Sequence, residues 1–309
     1  MIEWPAYDSS LFVDRPAMLG KLRRWAQDPA GNRVMALIGS PGSGKSWLLQ
    51  RLQELLSDRQ LTLWLNAPAL LQTSSENNAW EQILAQDAFE NWLSYAQQTA
   101  CRFCRHFGQI ALIPSAEARI DQLARKLSQC NLTFPPLLLV DSYDEITDNQ
   151  ATMFSLHFLD RFLSSPSTRI LVAARSQEVL RGEVLRRDIQ YLCLANEERI
   201  QKRFVQEQFE RWLKRKFPNQ SLPENKDWIE RFQHYSWCNP AFNYALFELA
   251  WKGDPPVLQP LQKQDFQEVI QDVVTRDQRH PELSSEELTF LQKLATLPPL
   301  WSSIDAERQ

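Results

Sequence analysis

Residues 39–46 read Gly39-Ser40-Pro41-Gly42-Ser43-Gly44-Lys45-Ser46, a G-x-x-x-x-G-K-S octapeptide that follows directly on the apolar run Val34 to Ile38. A strand, a glycine-rich loop and then a helix is the setting that a phosphate-binding loop requires. The glycines let the loop fold back so that consecutive backbone N–H groups point inward, and the following helix adds the positive end of its dipole. An anionic triphosphate would meet donors already aimed at it. Lys45 is placed to reach the β- and γ-phosphates and Ser46 to ligate Mg²⁺. Gly39, Pro41, Gly42, Ser43, Gly44, Lys45, Ser46 and Trp47 are the expected nucleotide contacts around the loop.

Further apolar runs at Leu61 to Leu65, Leu137 to Asp141, Ile170 to Ala174 and Ile189 to Leu194 read as buried strands, apolar nearly throughout as strands covered on both faces should be. Helical stretches lie between them: Lys45 to Leu56, an insertion from about Leu70 to Cys130, and Ala151 to Leu163. This alternation predicts an α/β fold, an open parallel five-stranded core with helices on both faces over residues 1–195. After Leu194 the pattern becomes helical only. Asn196 with Glu197 and Glu198 starts a helix that ends near Lys214-Arg215-Lys216, and further helices read as Trp228 to Tyr235, Pro240 to Lys252, Lys263 to Arg276 and Ser285 to Leu297. Residues 196–280 are thus expected to form an all-helical lid domain. Residues 281–309 read as the start of a winged-helix domain or a C-terminal tail.

A length of 309 residues suits two domains, and 43% hydrophobic with 23% charged residues describes a soluble globular protein. No run approaches the roughly 18 apolar residues of a membrane span, and the N-terminus lacks the basic and apolar regions of a signal peptide, so a cytoplasmic location and no membrane are expected. A net charge of −4 gives no overall basic field, so nucleic acid as a partner has no support from bulk charge, although a local basic patch stays open. The five cysteines do not read as a disulfide framework, which fits a reducing compartment. Cys101-x-x-Cys104 with His106 lacks a second close pair for a zinc site, and these cysteines read as small buried hydrophobes. The 11 tryptophans and 16 phenylalanines fall mainly at helical spacing with leucine, as core packing requires.

The apolar strand Leu137 to Asp141 ends in an acid at the C-terminal edge of the sheet, where ligands of open α/β sheets sit. Asp141 is the expected Mg²⁺ partner of Ser46. The strand Arg169 to Ala174 ends in Arg175, a cation positioned to contact the γ-phosphate and to distinguish a triphosphate from a diphosphate.

Asp141-Ser142-Tyr143-Asp144-Glu145 resembles the second acidic motif of the STAND class of P-loop NTPases within the AAA+/ASCE superfamily, particularly the NACHT-like branch. Leu171 to Ser176 resembles the sensor strand of that class. Phe12-Val13-Asp14-Arg15 resembles its F-V-G-R segment beside adenine, with Asp14 in place of the usual glycine, and Cys238-Asn239-Pro240 resembles its G-x-P motif, with Cys238 in place of glycine. The resemblance implies a P-loop NTPase core that takes ATP or ADP with Mg²⁺. It implies that Asp144 or Glu145 positions the attacking water, that Phe12, Val13 and Pro240 frame adenine together with Asp14 and Arg15, and that Lys45 and Arg175 act in catalysis. Ser142 follows the metal acid where fast AAA+ ATPases place a catalytic Glu, so turnover is expected to be slow. Arg181, Arg186 and Arg187 stand where related proteins carry an arginine finger for a neighbouring subunit.

The leading functional expectation is an ATP-dependent molecular switch, hydrolysing slowly and assembling as a homo-oligomer in its ATP form, with an unidentified protein effector or sensor and a role in signalling, regulation or prokaryotic antiviral defence. Swinging such a switch from 1:99 to 99:1 takes about 5.5 kcal/mol of differential binding. A DNA-associated AAA+ ATPase similar to origin-recognition or transposon-encoded proteins is the alternative, and a pseudo-ATPase scaffold is the third reading, against which the intact Lys45, Ser46, Asp141 and acidic pair argue.

Overall fold

The structure, a computed structural model, describes residues 6–13, 15–40, 42–71, 80–105, 107–110, 113–165, 167–177, 180, 189–194, 202–223, 228–230, 232, 240–252 and 257–258. Pro41, Asp14, His106, Arg181, Arg186, Arg187, Cys238, Asn239 and the helices expected beyond residue 262 lie outside the described residues. The chain forms two compact units, Tyr7–Arg199 and a second made of Met1–Ala6 with Ile200–Gln309.

In the first unit β1 (Val34–Ile38), β2 (Thr62–Asn66), β3 (Leu137–Asp141), β4 (Arg169–Ala174) and β5 (Ile189–Cys193) form one parallel sheet in the order β2-β3-β4-β1-β5. Side chains alternate across it, as the period of a strand dictates. Met35, Leu37, Leu137, Leu139, Leu171 and Ala173 face α1 (Pro16–Gln27) and α2 (Lys45–Leu56), which bury Leu22, Trp25, Leu48 and Leu52 against them. Val34, Ala36, Leu138, Val140, Ile170 and Val172 face the opposite layer. That layer contains α3 (Trp80–Ile83), α4 (Gln86–Phe103), α5 (Ala116–Gln129), α6 (Asp148–Phe154) and α7 (Asp160–Ser164). Helices therefore cover both faces, as the alternation of strand and helix predicted.

Local chemistry explains several boundaries. Pro16 opens α1 at a position where its missing N–H costs nothing. Thr147 and Gln150 form a reciprocal capping box at the start of α6. The expected single helix from Ala151 to Leu163 instead contains a π-helical turn, Ser155–Leu159, between α6 and α7. The edge strand β2 is protected by α4: Trp92 Nε1 donates to the Trp64 carbonyl at 3.1 Å, and the Trp64 N–H donates to Tyr95 Oη at 3.4 Å. The other edge departs from expectation. β5 exposes Gln190 and Tyr191, because as the outer strand it is not covered on both faces.

A second departure is a disulfide. Cys104 and Cys130, which read as unpaired in sequence, are bonded with their Cα atoms 5.8 Å apart, because the C-terminal ends of α4 and α5 meet. Cys101, expected to be buried, is exposed.

In the second unit α8 (Lys202–Lys216) packs against α9 (Pro240–Ala250). Phe209 is the centre of an aromatic core with Trp228, Phe247 and Trp251, at ring separations of 4.5, 4.8 and 5.8 Å. The unit is not purely helical. β6 (Trp251–Lys252) pairs antiparallel with β7 (Val257–Leu258), where the sequence read as the end of a helix followed by a break. Among the described residues no helix is long and apolar enough to cross a membrane.

Candidate functional site

Because every strand of the sheet runs the same way, β1, β4 and β3 end side by side at one edge. The register pairs Ile38 with Ala174 and Val140 with Val172, so the residues that follow, Gly39, Arg175 and Asp141, emerge together. The Gly39 N–H donates to the Ala174 carbonyl at 3.1 Å and ties the loop to β4. A Cβ at Gly39 would stand 2.7 Å from Ser43 Oγ and 3.1 Å from Leu194 Cδ1, so a larger residue there would force both side chains to shift. Gly42 and Gly44, at φ of 73° and 88°, occupy the left-handed region.

Lys45 begins α2 and its ammonium donates to the carbonyls of Gly39 at 2.7 Å and Ser40 at 3.2 Å. Burial pushes its pKa below the usual lysine range. Asp144 opposes that shift, Arg175 reinforces it, and Asp141 and Glu145 oppose it. All four charges act on Lys45 because the strand ends bring them to one place.

Asp141 is 3% exposed. Ser46 Oγ donates to its Oδ1 at 2.8 Å and the Ser142 N–H donates to the same oxygen at 2.9 Å. Burial nevertheless raises the Asp141 pKa to about 6, with the two hydrogen bonds and Lys45 offsetting part of the effect and Glu145 adding to it. Ser142 has φ of 56°, the single non-glycine positive φ among the described residues. This left-handed step redirects the chain from β3 into the 3₁₀ turn Tyr143–Glu145. Tyr143 and Asp144 are buried there and Glu145 is exposed. Arg175 Nε meets Asp144 Oδ2 at 2.5 Å, so these two expected site residues are engaged with each other.

The segment before α1 lies against the loop and α2. Arg15, 5% exposed, donates from Nη2 to the Ser43 carbonyl at 3.0 Å, and Phe12 and Val13 are buried. The Tyr7 ring stands edge-on to Trp47 at 5.6 Å and its hydroxyl donates to Glu54 Oε2 at 2.7 Å. Sequence reasoning missed Tyr7, which no motif marks, and missed that Arg15 braces the loop itself. Pro240 opens α9 in the second unit, where its carbonyl accepts from Gln208 Nε2 at 2.9 Å.

Among the described residues no cluster of three or more His, Cys, Asp or Glu side chains could hold a metal unaided. The adjacent oxygens of Ser46 and Asp141 do suit Mg²⁺, which characteristically takes one or two protein oxygens and completes its shell with phosphate and water.

The family described as nephrocystin 3, N-terminal, matches residues 19–176, just over half of the 309. The chain belongs to that family. The nephrocystin 3 N-terminal match runs from α1 through the phosphate loop, Asp141 and the acidic pair to Arg175 and Ser176, all within the first unit. By its loop and strand order the chain has the fold of a P-loop NTPase, as the sequence motifs implied. Similar solved structures include Cdc6p from Pyrobaculum aerophilum, 13% identical over 84% of this chain and 65% of that one, with a TM-score of 0.48. Another is a Signal Transduction ATPase with Numerous Domains (STAND) protein with a tetratricopeptide repeat sensor from Pyrococcus horikoshii, 12% identical over 84% of this chain and 32% of that one, with a TM-score of 0.42. The chain spans less than two thirds of the length of either. No curated protein matches it.

Proposed function

We propose that the chain binds ATP and ADP with Mg²⁺ and hydrolyses ATP slowly, acting as a NACHT-like molecular switch. The observation that carries this reading is the meeting of Lys45, Ser46, Asp141 and Arg175 at the neighbouring ends of three parallel strands. In it, the Lys45 ammonium exchanges the carbonyls of Gly39 and Ser40 for β- and γ-phosphate oxygens, and the backbone of Gly42 to Ser46 cradles the phosphates. Ser46 and Asp141 would hold Mg²⁺, whose chemistry there is to neutralise charge developing on the phosphates.

The acidic pair then divides its work. Asp144 is committed to Arg175, whereas the exposed Glu145 is available to orient water. Arg175, held at the end of β4, contacts the γ-phosphate and exchanges part of its pairing with Asp144 for phosphate oxygens. Ser142 stands immediately after Asp141, so no carboxylate occupies that position to accelerate the attack, and slow turnover follows. Phe12 and Val13, buried in the segment beside the loop, would frame the base. Assembly into a homo-oligomer in the ATP form, and signalling or defence as its purpose, extend the same reading.

The test is phosphate release by purified full-length chain with ATP and Mg²⁺, compared with Glu145→Gln. Release by the wild type and its loss in the variant, with binding retained, supports the reading; equal release from both contradicts the role of Glu145.

A further inference from the structure

Tyr143 lies inside the acidic turn, between Asp141 and the pair Asp144-Glu145, yet its side chain points away from the sheet edge and is fully buried. Its hydroxyl donates to the Ala151 carbonyl at 3.0 Å and shares a 2.6 Å hydrogen bond with Ser155 Oγ, itself fully buried. A phenol has one proton to give, so donation to Ala151 leaves its oxygen to accept from the serine hydroxyl. Ser155 is the first residue of the π-helical turn, whose wider hydrogen bond runs from the Asp160 N–H to the Ser155 carbonyl.

Around this polar pair the contacts are aromatic. The Tyr143 ring tilts onto Phe154 at 6.2 Å, Phe154 stacks on Phe158 at 4.8 Å, and Phe158 meets Trp92 of α4 at 5.0 Å. Phenylalanine and alanine would suit such surroundings without needing partners. Two hydroxyls placed there contribute direction: their bond fixes the rotation and depth of the tyrosine. The turn that holds Tyr143 is only three residues long and is closed by the Glu145 N–H donating to the Ser142 carbonyl at 3.0 Å. Fixing Tyr143 therefore fixes the backbone that carries Asp144 and Glu145. Asp144 has Arg175 as a second restraint, but Glu145 is exposed and takes its place from this backbone.

We propose that Tyr143 is a positioning residue: its hydrogen bond to Ser155 sets where Glu145 stands relative to the phosphate loop, and so sets the rate of ATP cleavage without contributing to nucleotide affinity. This rests on the ATPase reading above. Displacing a catalytic group by about 1 Å can cost on the order of a hundredfold in rate, and loss of one restraint on Glu145 is expected to lower kcat by roughly tenfold.

The experiment compares steady-state phosphate release, nucleotide titration and thermal unfolding for wild type, Tyr143→Phe, Ser155→Ala and the double variant. The expected result is a fall in kcat of about tenfold in each single variant, KM and nucleotide Kd within about twofold of wild type, and a double variant no slower than the slower single one, because both remove the same bond. A lowered melting temperature with unchanged kcat in Tyr143→Phe would show a purely structural tyrosine and overturn the inference. If Tyr143→Phe does not fold, the smaller change Ser155→Ala decides by the same criteria. Wild-type protein without turnover removes both this inference and the reading it rests on; wild-type turnover matched by both variants removes this inference alone.

Discussion

Asp144 Oδ2 and Arg175 Nε meet at 2.5 Å across the ends of β3 and β4, pairing the first acid after the Ser142-Tyr143 step with the cation that ends the neighbouring strand. The carboxylate is nearly fully buried and the guanidinium about a quarter exposed. The pair therefore lies between a surface bridge, of little value, and a buried one that is costly to break.

Removing either partner is expected to destabilise the fold by about 1–3 kcal/mol, and the double variant Asp144→Ala/Arg175→Ala to lose less than the sum of the two. Urea unfolding of the three variants measures the coupling. Arg175→Ala should also lower the preference for ATP over ADP by about tenfold, the loss of one charge-assisted hydrogen bond to the γ-phosphate. A preference that does not change would place Arg175 in a structural role only.

The Asp141 carboxyl makes a prediction with a definite sign. Its folded pKa of about 6 lies above the ordinary 3.8, so the folded protein holds this proton more tightly than the unfolded chain. The stabilisation this provides is complete below about pH 4 and is lost as pH rises through 6. At pH 7.5, without nucleotide or metal, the ionised buried carboxylate costs about 3 kcal/mol relative to an ordinary aspartate. Asp141→Asn should remove that cost, raising stability at pH 7.5 by about 2–3 kcal/mol and abolishing the corresponding part of the pH dependence, while weakening Mg²⁺-dependent ATP binding. Thermal unfolding between pH 4 and 8 in a chelator checks it. A variant less stable than wild type at pH 7.5 would contradict the dominance of burial over hydrogen bonding at Asp141.

The Cys104–Cys130 bond closes a loop with a sequence separation of 26 residues, which corresponds to about 3.5 kcal/mol of lost freedom in the unfolded chain. Reduction with dithiothreitol, or Cys104→Ser, should lower the stability of the first unit by that amount and leave α4 and α5 folded. Mass spectrometry under native conditions establishes the bond first; a free thiol at both positions would remove the prediction.

Most of what locates the site is legible in the sequence, because a parallel sheet buried on both faces forces its strands to be short apolar runs that stop at polar residues. Ile38, Asp141 and Ala174 mark such stops, and the order of the strands brings them together. What stays hidden depends on three-dimensional neighbours or on single-residue geometry. The π-helical turn at Ser155 adds one residue to a helix, and hydrophobic periodicity is too coarse to show it. The two-residue strands Trp251–Lys252 and Val257–Leu258 are too short to display alternation. The exposure of Gln190 and Tyr191 depends on β5 being an edge, and the Cys104–Cys130 bond on where two helices end. The Asp144–Arg175 pair and the Tyr143–Ser155 bond join residues 31 and 12 positions apart, and neither has a local signature.

Calorimetric titration of the full chain with ATP in the presence of Mg²⁺, run beside Lys45→Ala, tests the central claim most directly. The account predicts saturable uptake at a single site in the wild type and affinity lowered at least about a hundredfold in the variant, as loss of a buried ammonium facing two phosphates requires. Absence of uptake by the wild type, or equal affinity in both proteins, would contradict it.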